Sequence, residues 1–550
     1  MAHAQGQLDH NGASFFDKHI VKFKNILLLG WLVFLQGCNT LPFFEDDRPN
    51  FLIIITDDQR FDTMEFMPMT KELIFDQGVT FSQGYVTTPY CCPSRSSIFT
   101  GLYAHNHKVL INDDKLLLPT VMDDLQAKGY FTGLIGKYLN SWTDSPRPEF
   151  DYWVSFFGGT PKRYYGPRLN INGDRGKVEG YITYIFRDHV LEFLDQASRR
   201  KEPFFLLFTP NAPHDPFTPA EEDLGLYLNL PPHRPPNFNE EDLSDKPRSV
   251  SNKPLLDQQG MAHIDGIRLA QLQTLASLDR SIGEIMQKLE DIGELDQTMV
   301  VFLSDNGIHW WEHRMDNKNS AYEESIRVPF AMRYPTLVPE PYIEDRFVAN
   351  IDIAPTIYEL SETPIPKNID GSSLAGLFKP DEAWRTHLLL EAWPPRGFWS
   401  AIHTGQYIYI ETENYLFEFY DLQVYPYQMN NMIEEPQYRD TIAELLIMLE
   451  QERQPRVPVA EWFQQAARNC VEISSNDPWE FPSVGISLQF VPCRREYRPP
   501  RAFELPYPCA RRIRRHDGDK PLDPPPSFRR PEVRRRGCRY PRSQSIHRQC

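Results

Sequence analysis

Three short segments of the chain hold residues whose types and spacing could do chemistry. The densest is Cys91-Cys92-Pro93-Ser94-Arg95-Ser96-Ser97-Ile98-Phe99-Thr100-Gly101. Pro93 suits the first turn of a helix, and Ile98, Phe99 and Leu102 would give that helix an apolar side. Cys91 then stands at a helix N-terminus, where free N–H groups and the peptide dipole favour an anion. Arg95, one turn on, can reach back to the same anion with a planar fork of donors. A cysteine is most often a small buried apolar residue, but two in tandem ahead of Pro-Ser-Arg call for a chemical reason.

The other two segments are acidic. Thr56-Asp57-Asp58-Gln59 follows the apolar run Phe51–Ile55, and Leu303-Ser304-Asp305-Asn306-Gly307 follows Met299–Leu303. Adjacent carboxylates repel, and a hard divalent cation relieves the repulsion through oxygen ligands. Either segment alone also reads as a helix cap or a turn. Two acidic strand ends in one sheet could face one ion.

These residues need a scaffold. Phe51–Ile55, Phe131–Ile135, Phe204–Phe208 and Met299–Leu303 are continuous apolar runs, as in strands buried on both faces. Leu117, Leu118, Val121, Met122 and Leu125 have helical spacing with Gly129 as a stop, and Leu272 to Leu289 predicts a long amphipathic helix. Strands alternating with helices predict an α/β fold, a mostly parallel sheet covered on both faces. From about Trp384 the texture changes. Tyr407–Ile410 and Tyr415–Tyr420 predict a hairpin and Ile442–Leu449 a helix, hence a smaller antiparallel α+β subdomain. The expected division is 1–48 leader and linker, 49–383 catalytic domain, 384–465 subdomain, and 466–550 a Pro/Arg-rich tail without periodicity.

Cys-x-Pro-Ser-Arg followed by Thr-Gly resembles the signature of the type I sulfatases. The resemblance covers about residues 49–435 and implies an alkaline-phosphatase-like fold. It implies that Cys91 is converted to formylglycine by a formylglycine-generating enzyme, with the hydrate as nucleophile and Cys92 at the variable position. By the same resemblance Asp57, Asp58, Asp305 and Asn306, together with residue 91, hold one divalent cation, calcium or alternatively magnesium. Gly136-Lys137-Tyr138 resembles the family motif whose Lys contacts the sulfate. Ala212-Pro213-His214 resembles the segment of the His that serves the leaving group. Lys318, ahead of Tyr322-Glu323-Glu324-Ser325-Ile326-Arg327-Val328-Pro329, resembles the second sulfate-binding Lys. Arg95, Lys137, His214 and Lys318 are thus the implied catalytic partners of Cys91.

There are departures. Many sulfatases have a His two residues after the Gly-Lys lysine, hydrogen-bonded to the nucleophile, where this chain has Leu139. Gly-Lys-Tyr-Leu-Asn, like His105-Asn106-His107, resembles instead the N-acetylglucosamine-6-sulfatase and heparan endosulfatase branch, in which Asn140 would share that role. Trp310 and Trp311 stand where small or polar residues are common, which predicts a different pocket rim. His105, His107 and His313 read as ordinary structural histidines. The implied reaction is hydrolysis of a sulfate ester, on a sulfated small molecule or glycan. The rival readings are a phosphonate or phosphate diester hydrolase on the same fold, and a non-catalytic binder of sulfated glycans.

Composition describes an acidic body with a basic end. Of 550 residues 41% are hydrophobic and 24% charged, enough for one large domain and smaller pieces. Residues 491–550 hold sixteen Arg and one Lys against six acidic residues, so the whole-chain charge of −17 leaves −28 on the first 490. An acidic body of this kind excludes nucleic acid as its expected partner. Lys18, Lys22 and Lys24 precede the apolar run Ile26–Leu35, which is shorter than the roughly 20 residues a membrane span needs and matches a signal peptide. Leu35-Gln36-Gly37-Cys38 resembles a bacterial lipobox, which implies export and membrane anchoring through Cys38. Between Cys38 and Cys470 the only cysteines are the adjacent pair, so disulfides do not staple the body.

Overall fold

The computed structural model describes residues 46–454, apart from 141, 143, 144, 158–162, 381, 395–397 and 413–415. The leader with Cys38 and the Arg-rich tail lie outside the described residues. In chain order the strands are β1 (Asn50–Thr56), β2 (Val79–Phe81), β3 (Gly84–Tyr85), β4 (Phe131–Gly136), β5 (Tyr152–Phe156), β6 (Arg168–Ile171), β7 (Asp174–Lys177) and β8 (Phe204–Thr209). They continue with β9 (Thr298–Ser304), β10 (Phe330–Arg333), β11 (Tyr342–Glu344), β12 (Val348–Ala349), β13 (Leu388–Ala392), β14 (Trp399–His403), β15 (Tyr407–Thr412) and β16 (Phe417–Asp421).

Ten strands form one sheet in the order 11-2-10-9-1-8-4-5-6-7. Its middle, β9-β1-β8-β4-β5, is parallel throughout. Strands β10 and β6 join antiparallel on either side of that block. Side chains alternate across the sheet, so β1 feeds two cores. Leu52 and Ile54 pack under the helices Ile182–Ala197 and Gln258–Asp291. Phe51, Ile53 and Ile55 face the opposite layer, with the helices Cys91–Thr100, Val121–Ala127 and Ile353–Leu360. Burial on both faces is why the strand reads as an unbroken apolar run.

Three helices depart from the expectation in instructive ways. Helix Cys91–Thr100 packs Ile98 and Phe99 into the core as expected, but its polar residues are buried as well, all ten of them. It stops at Gly101, whose φ of +68° suits glycine, and Leu102 lies beyond its end. Helix Val121–Ala127 begins only after a Thr120–Asp123 capping box, leaving Leu117, 55% exposed, outside it. Helix Gln258–Asp291 starts well before Leu272, capped by the Asp257 carboxylate, which accepts the Gly260 N–H at 2.8 Å. Its first turns bury little beyond Ile264, so they carry no apolar stripe to read.

Strands β13 to β16 form a separate antiparallel sheet in sequence order. Leu445 and Leu449 of helix Arg439–Glu452 join its core.

The parallel block sets the geometry of the site. Thr56 pairs with Ser304, Ile54 with Phe208, and Gly136 with Thr209. The carboxyl ends of β9, β1, β8 and β4 therefore open on one edge, where ligands bind in open α/β sheets.

Candidate active site

That edge brings together residues far apart in sequence. Asp57 and Asp58 leave β1, Asp305 and Asn306 leave β9, Lys137 leaves β4, and His214 follows β8. The backbone locks these ends to one another. Asp57 N–H donates to the Ala212 carbonyl at 3.3 Å, Asp305 N–H to Thr56 at 3.0 Å, and Lys137 N–H to Thr209 at 2.8 Å. Gly136 is required for the last contact. At its φ of +124° a Cβ would stand 2.0 Å from the Thr209 carbonyl oxygen, so only glycine lets β4 end this close to β8. Asp58 also holds a positive φ, +66°, an uncommon conformation that marks a constrained site.

Cys91, the first residue of its helix, is buried over these strand ends. Its Sγ lies 3.0 Å from Lys318 Nζ and 3.9 Å from Asp57 Oδ1. Lys318 also donates to Asp58, and Lys137 Nζ to Asp57 at 2.7 Å. Arg95 donates through Nε to Asp305 at 2.8 Å and through Nη1 to the Lys137 carbonyl at 2.8 Å. Its Nη2 is buried without a hydrogen-bond partner, 3.9 Å from Asp57. The helix N-terminus itself offers fewer free N–H groups than expected. Cys92 N–H is taken by Asn112 Oδ1 at 3.0 Å, Pro93 has none, and Ser94 N–H closes on Tyr90. Cationic side chains supply the positive potential instead.

Burial sets these charges against one another. It would strip the proton from Lys137, but Asp57 and the Cys91 sulfur hold its pKa above the ordinary lysine value. Lys318 is raised in the same way, chiefly by Asp58. Burial opposes ionisation of Asp57, yet Lys137, His214 and Arg95 keep it below its usual value. His214 Nε2 sits 3.7 Å from Asp58, and its Nδ1 meets Asp215 at 2.8 Å. Burial disfavours its charge, but Asp57 and Asp58 outweigh that and raise its pKa to about 10.

The Sulfatase family model matches residues 49–363, more than half of the chain. The chain belongs to the sulfatase family. A second model, described as N-sulphoglucosamine sulphohydrolase, C-terminal, matches residues 311–455. The Sulf-1 extracellular sulfatase homologue of Caenorhabditis elegans is 33% identical over 371 residues, 64% of this chain and 52% of that protein. The chain thus spans about half the length of this relative. Human N-acetylglucosamine-6-sulfatase is 32% identical over 374 residues, 62% of this chain and 67% of its own. A protein solved in complex with its substrate D-glucosamine-2-N,6-O-disulfate superposes with a TM-score of 0.66 at 24% identity, covering 77% of this chain and 99% of that one. The fold is that of the alkaline-phosphatase-like sulfatases, with a small antiparallel sheet toward the C-terminus.

The strand ends gather a donor set for a metal ion. Asp57, Asp58, Cys91 and His214 offer ligand atoms all within 4.8 Å of one another. Asn306 Oδ1 is buried without a partner, while its Nδ2 donates to Asp58 Oδ1 at 2.7 Å. Asp305 is less free than its neighbours. Its Oδ1 accepts the Asp58 N–H at 3.2 Å and its Oδ2 the Arg95 guanidinium. The sequence reading gave His214 only to the leaving group, and the structure adds it to the carboxylate cluster.

Other residues were missed or fall elsewhere. Arg60, two residues past the Asp pair, is buried and bonds the Ile308 carbonyl at 2.9 Å and Glu312 at 3.1 Å, tying the loop after β1 to the loop after β9. A basic residue so near two carboxylates was the available signal. His309 Nε2 meets Ser320 Oγ at 2.7 Å and braces the two legs of the loop that carries Lys318. Trp310 and Trp311 do not form a rim. Both are buried, Trp310 beneath the Arg60 guanidinium at 4.3 Å. His105 pairs with Glu391 at 3.1 Å, His107 with Ser97 at 3.1 Å, and His313 with Glu240 at 2.7 Å, all structural contacts. Asn140 turns its backbone N–H to Cys92 Sγ at 3.0 Å, and its side-chain carbonyl is buried without a hydrogen-bond partner.

Proposed function

We propose that this sulfatase hydrolyses the sulfate ester of a carbohydrate, most closely of the 6-sulfated glucosamine type. The observation that carries the reading is the placing of Cys91 Sγ 3.0 Å from Lys318 and 3.9 Å from Asp57, beside Lys137, Arg95 and His214. An anion bound there meets three buried cations, and residue 91 meets it from the helix side. Converted to formylglycine by a maturation enzyme, residue 91 would supply a hydrated aldehyde as the nucleophile toward sulfur. Lys137, Lys318 and Arg95 stabilise the charge that grows on the sulfuryl oxygens as the ester bond breaks. His214, oriented by Asp215, donates its proton to the leaving alcohol oxygen. Asp57, Asp58 and Asn306, with Asp305 and residue 91, would hold a calcium ion, or magnesium, adding a Lewis acid at the sulfate oxygens.

The same reading assigns catalysis to residues 49–383 and makes residues 384–465 a small antiparallel subdomain. The names of the relatives support a glucosamine-type sulfate and an exported protein. No helix among the described residues is long and apolar enough to cross a membrane, and the expected lipidation of Cys38 falls outside them. The test is release of inorganic sulfate from N-acetylglucosamine 6-sulfate by protein with a verified aldehyde. Turnover of a phosphodiester but of no sulfate ester would overturn the reading.

A further inference from the structure

A cavity of about 940 Å³ opens alongside Lys318, between the segments 244–253 and 315–322 and the strands β14 to β16. Lys318 belongs to both places, since it lines the cavity and its ammonium meets Cys91. The cavity thus meets the cluster around Cys91 at Lys318, and it is of a size that takes a sugar unit or more.

Asn319 lines the same cavity and has no role in the machinery described above. It is only 7% exposed, and its amide Nδ2 is buried without a hydrogen-bond partner. Its backbone holds a φ of +74°, which a residue with a side chain adopts only where its surroundings enforce it. They do so here: Asn319 N–H donates to Ser325 Oγ at 3.0 Å and its carbonyl accepts the Trp399 Nε1–H at 3.0 Å. A buried amide donor left unpaired is costly. A constrained backbone that holds one at a cavity next to Lys318 points to an oxygen supplied from outside the chain. Phe398, 37% exposed on the same wall, offers an apolar surface for the C–H face of a sugar ring.

We propose that Asn319 is a specificity residue, whose Nδ2 donates to a ring hydroxyl or acyl carbonyl oxygen of the saccharide that carries the sulfate. The proposal rests on the reading of the site as a sulfate ester hydrolase. It separates two substrate classes, because a small aryl sulfate carries no ring hydroxyl or acyl carbonyl to meet this donor while a sulfated sugar carries several.

The test uses the full chain with a verified aldehyde, with N-acetylglucosamine 6-sulfate and 4-nitrophenyl sulfate as probes. Asn319→Ala and Asn319→Gly both delete the amide, and the glycine variant adopts the positive φ without strain. Each should lower the ratio of kcat/KM for the sugar to kcat/KM for the aryl ester by about tenfold, the worth of one good hydrogen bond. Asn319→Asp keeps the shape but replaces the donor by an acceptor, and should lower the ratio at least as far. Equal losses on both esters in the glycine variant would make Asn319 merely structural and overturn the proposal, as would an unchanged ratio. Wild-type protein inert toward both esters would remove the underlying reading itself, a failure visible before any variant is made.

Discussion

Lys318 Nζ lies 3.0 Å from Cys91 Sγ although the two residues are 227 apart in sequence. The lysine arrives on the return leg of a loop that leaves β9, and the cysteine on the first turn of a helix from the opposite layer. Their meeting defines where an anion and its attacker would sit.

Removing either buried ammonium should therefore damage turnover more than binding. Lys137→Ala and Lys318→Ala are each expected to lower kcat on the order of 100-fold, as loss of a preorganised charge donor does. Steady-state kinetics with a sulfated sugar measure this. Wild-type rates in both variants would mean that the anion binds elsewhere.

The close end of β4 against β8 makes a stability prediction. In Gly136→Ala the new Cβ would meet the Thr209 carbonyl at 2.0 Å in a backbone of φ +124°. Gly129→Ala also faces a positive φ, +90°, but its Cβ would meet nothing within 4 Å. The first variant should lose several degrees or more of Tm, or fail to fold, and the second only the backbone strain of about 1 kcal/mol. Thermal unfolding of the pair distinguishes steric collision from conformational cost, and equal losses would contradict the stated role of Gly136.

How legible all this was depends on the interaction. The parallel block could be read because Phe51–Ile55 and its counterparts are buried on both faces, so burial leaves an unbroken apolar run. Cys91, Lys137 and Lys318 could be named because their motifs are local in sequence. What could not be read is set by three-dimensional partners. That Asn112, not a free N–H group, would meet Cys92 N–H depends on where a loop returns. The first turns of helix Gln258–Asp291 carried no stripe, because they cover little of the core. Trp310 and Trp311 looked like rim residues because nothing in sequence announces that Arg60 would cap Trp310.

His214 yields a prediction about leaving groups. As the proposed proton donor it should matter most when the departing alcohol is basic. His214→Ala should thus lose far more kcat on an alkyl sugar sulfate than on 4-nitrophenyl sulfate, by at least about tenfold in ratio. Identical losses on both would assign His214 to binding instead of proton transfer.

Four oxygen donors at two adjacent strand ends form the proposed cation site, so activity is expected to require a divalent cation. Dialysis against a chelator should abolish turnover, and calcium or magnesium should restore it. Asn306→Ala should weaken the cation's binding while the fold, followed by circular dichroism, persists. Full activity in metal-free protein would exclude this part of the account.

The most direct test treats the tandem cysteines separately. Cys91 faces Lys318 and Asp57, whereas Cys92 faces the Asn140 N–H with its thiol pushed up to about 12 by burial. Two merely structural cysteines would behave alike, each truncation leaving a small cavity. The account instead expects the peptide holding both to be lighter by about 18 Da in protein from a host with the maturation enzyme, the mass change falling on residue 91. Cys91→Ala should then fold and lose nearly all sulfate release, while Cys92→Ala keeps much of it. A fully active Cys91→Ala protein would contradict the nucleophile and the mechanism together.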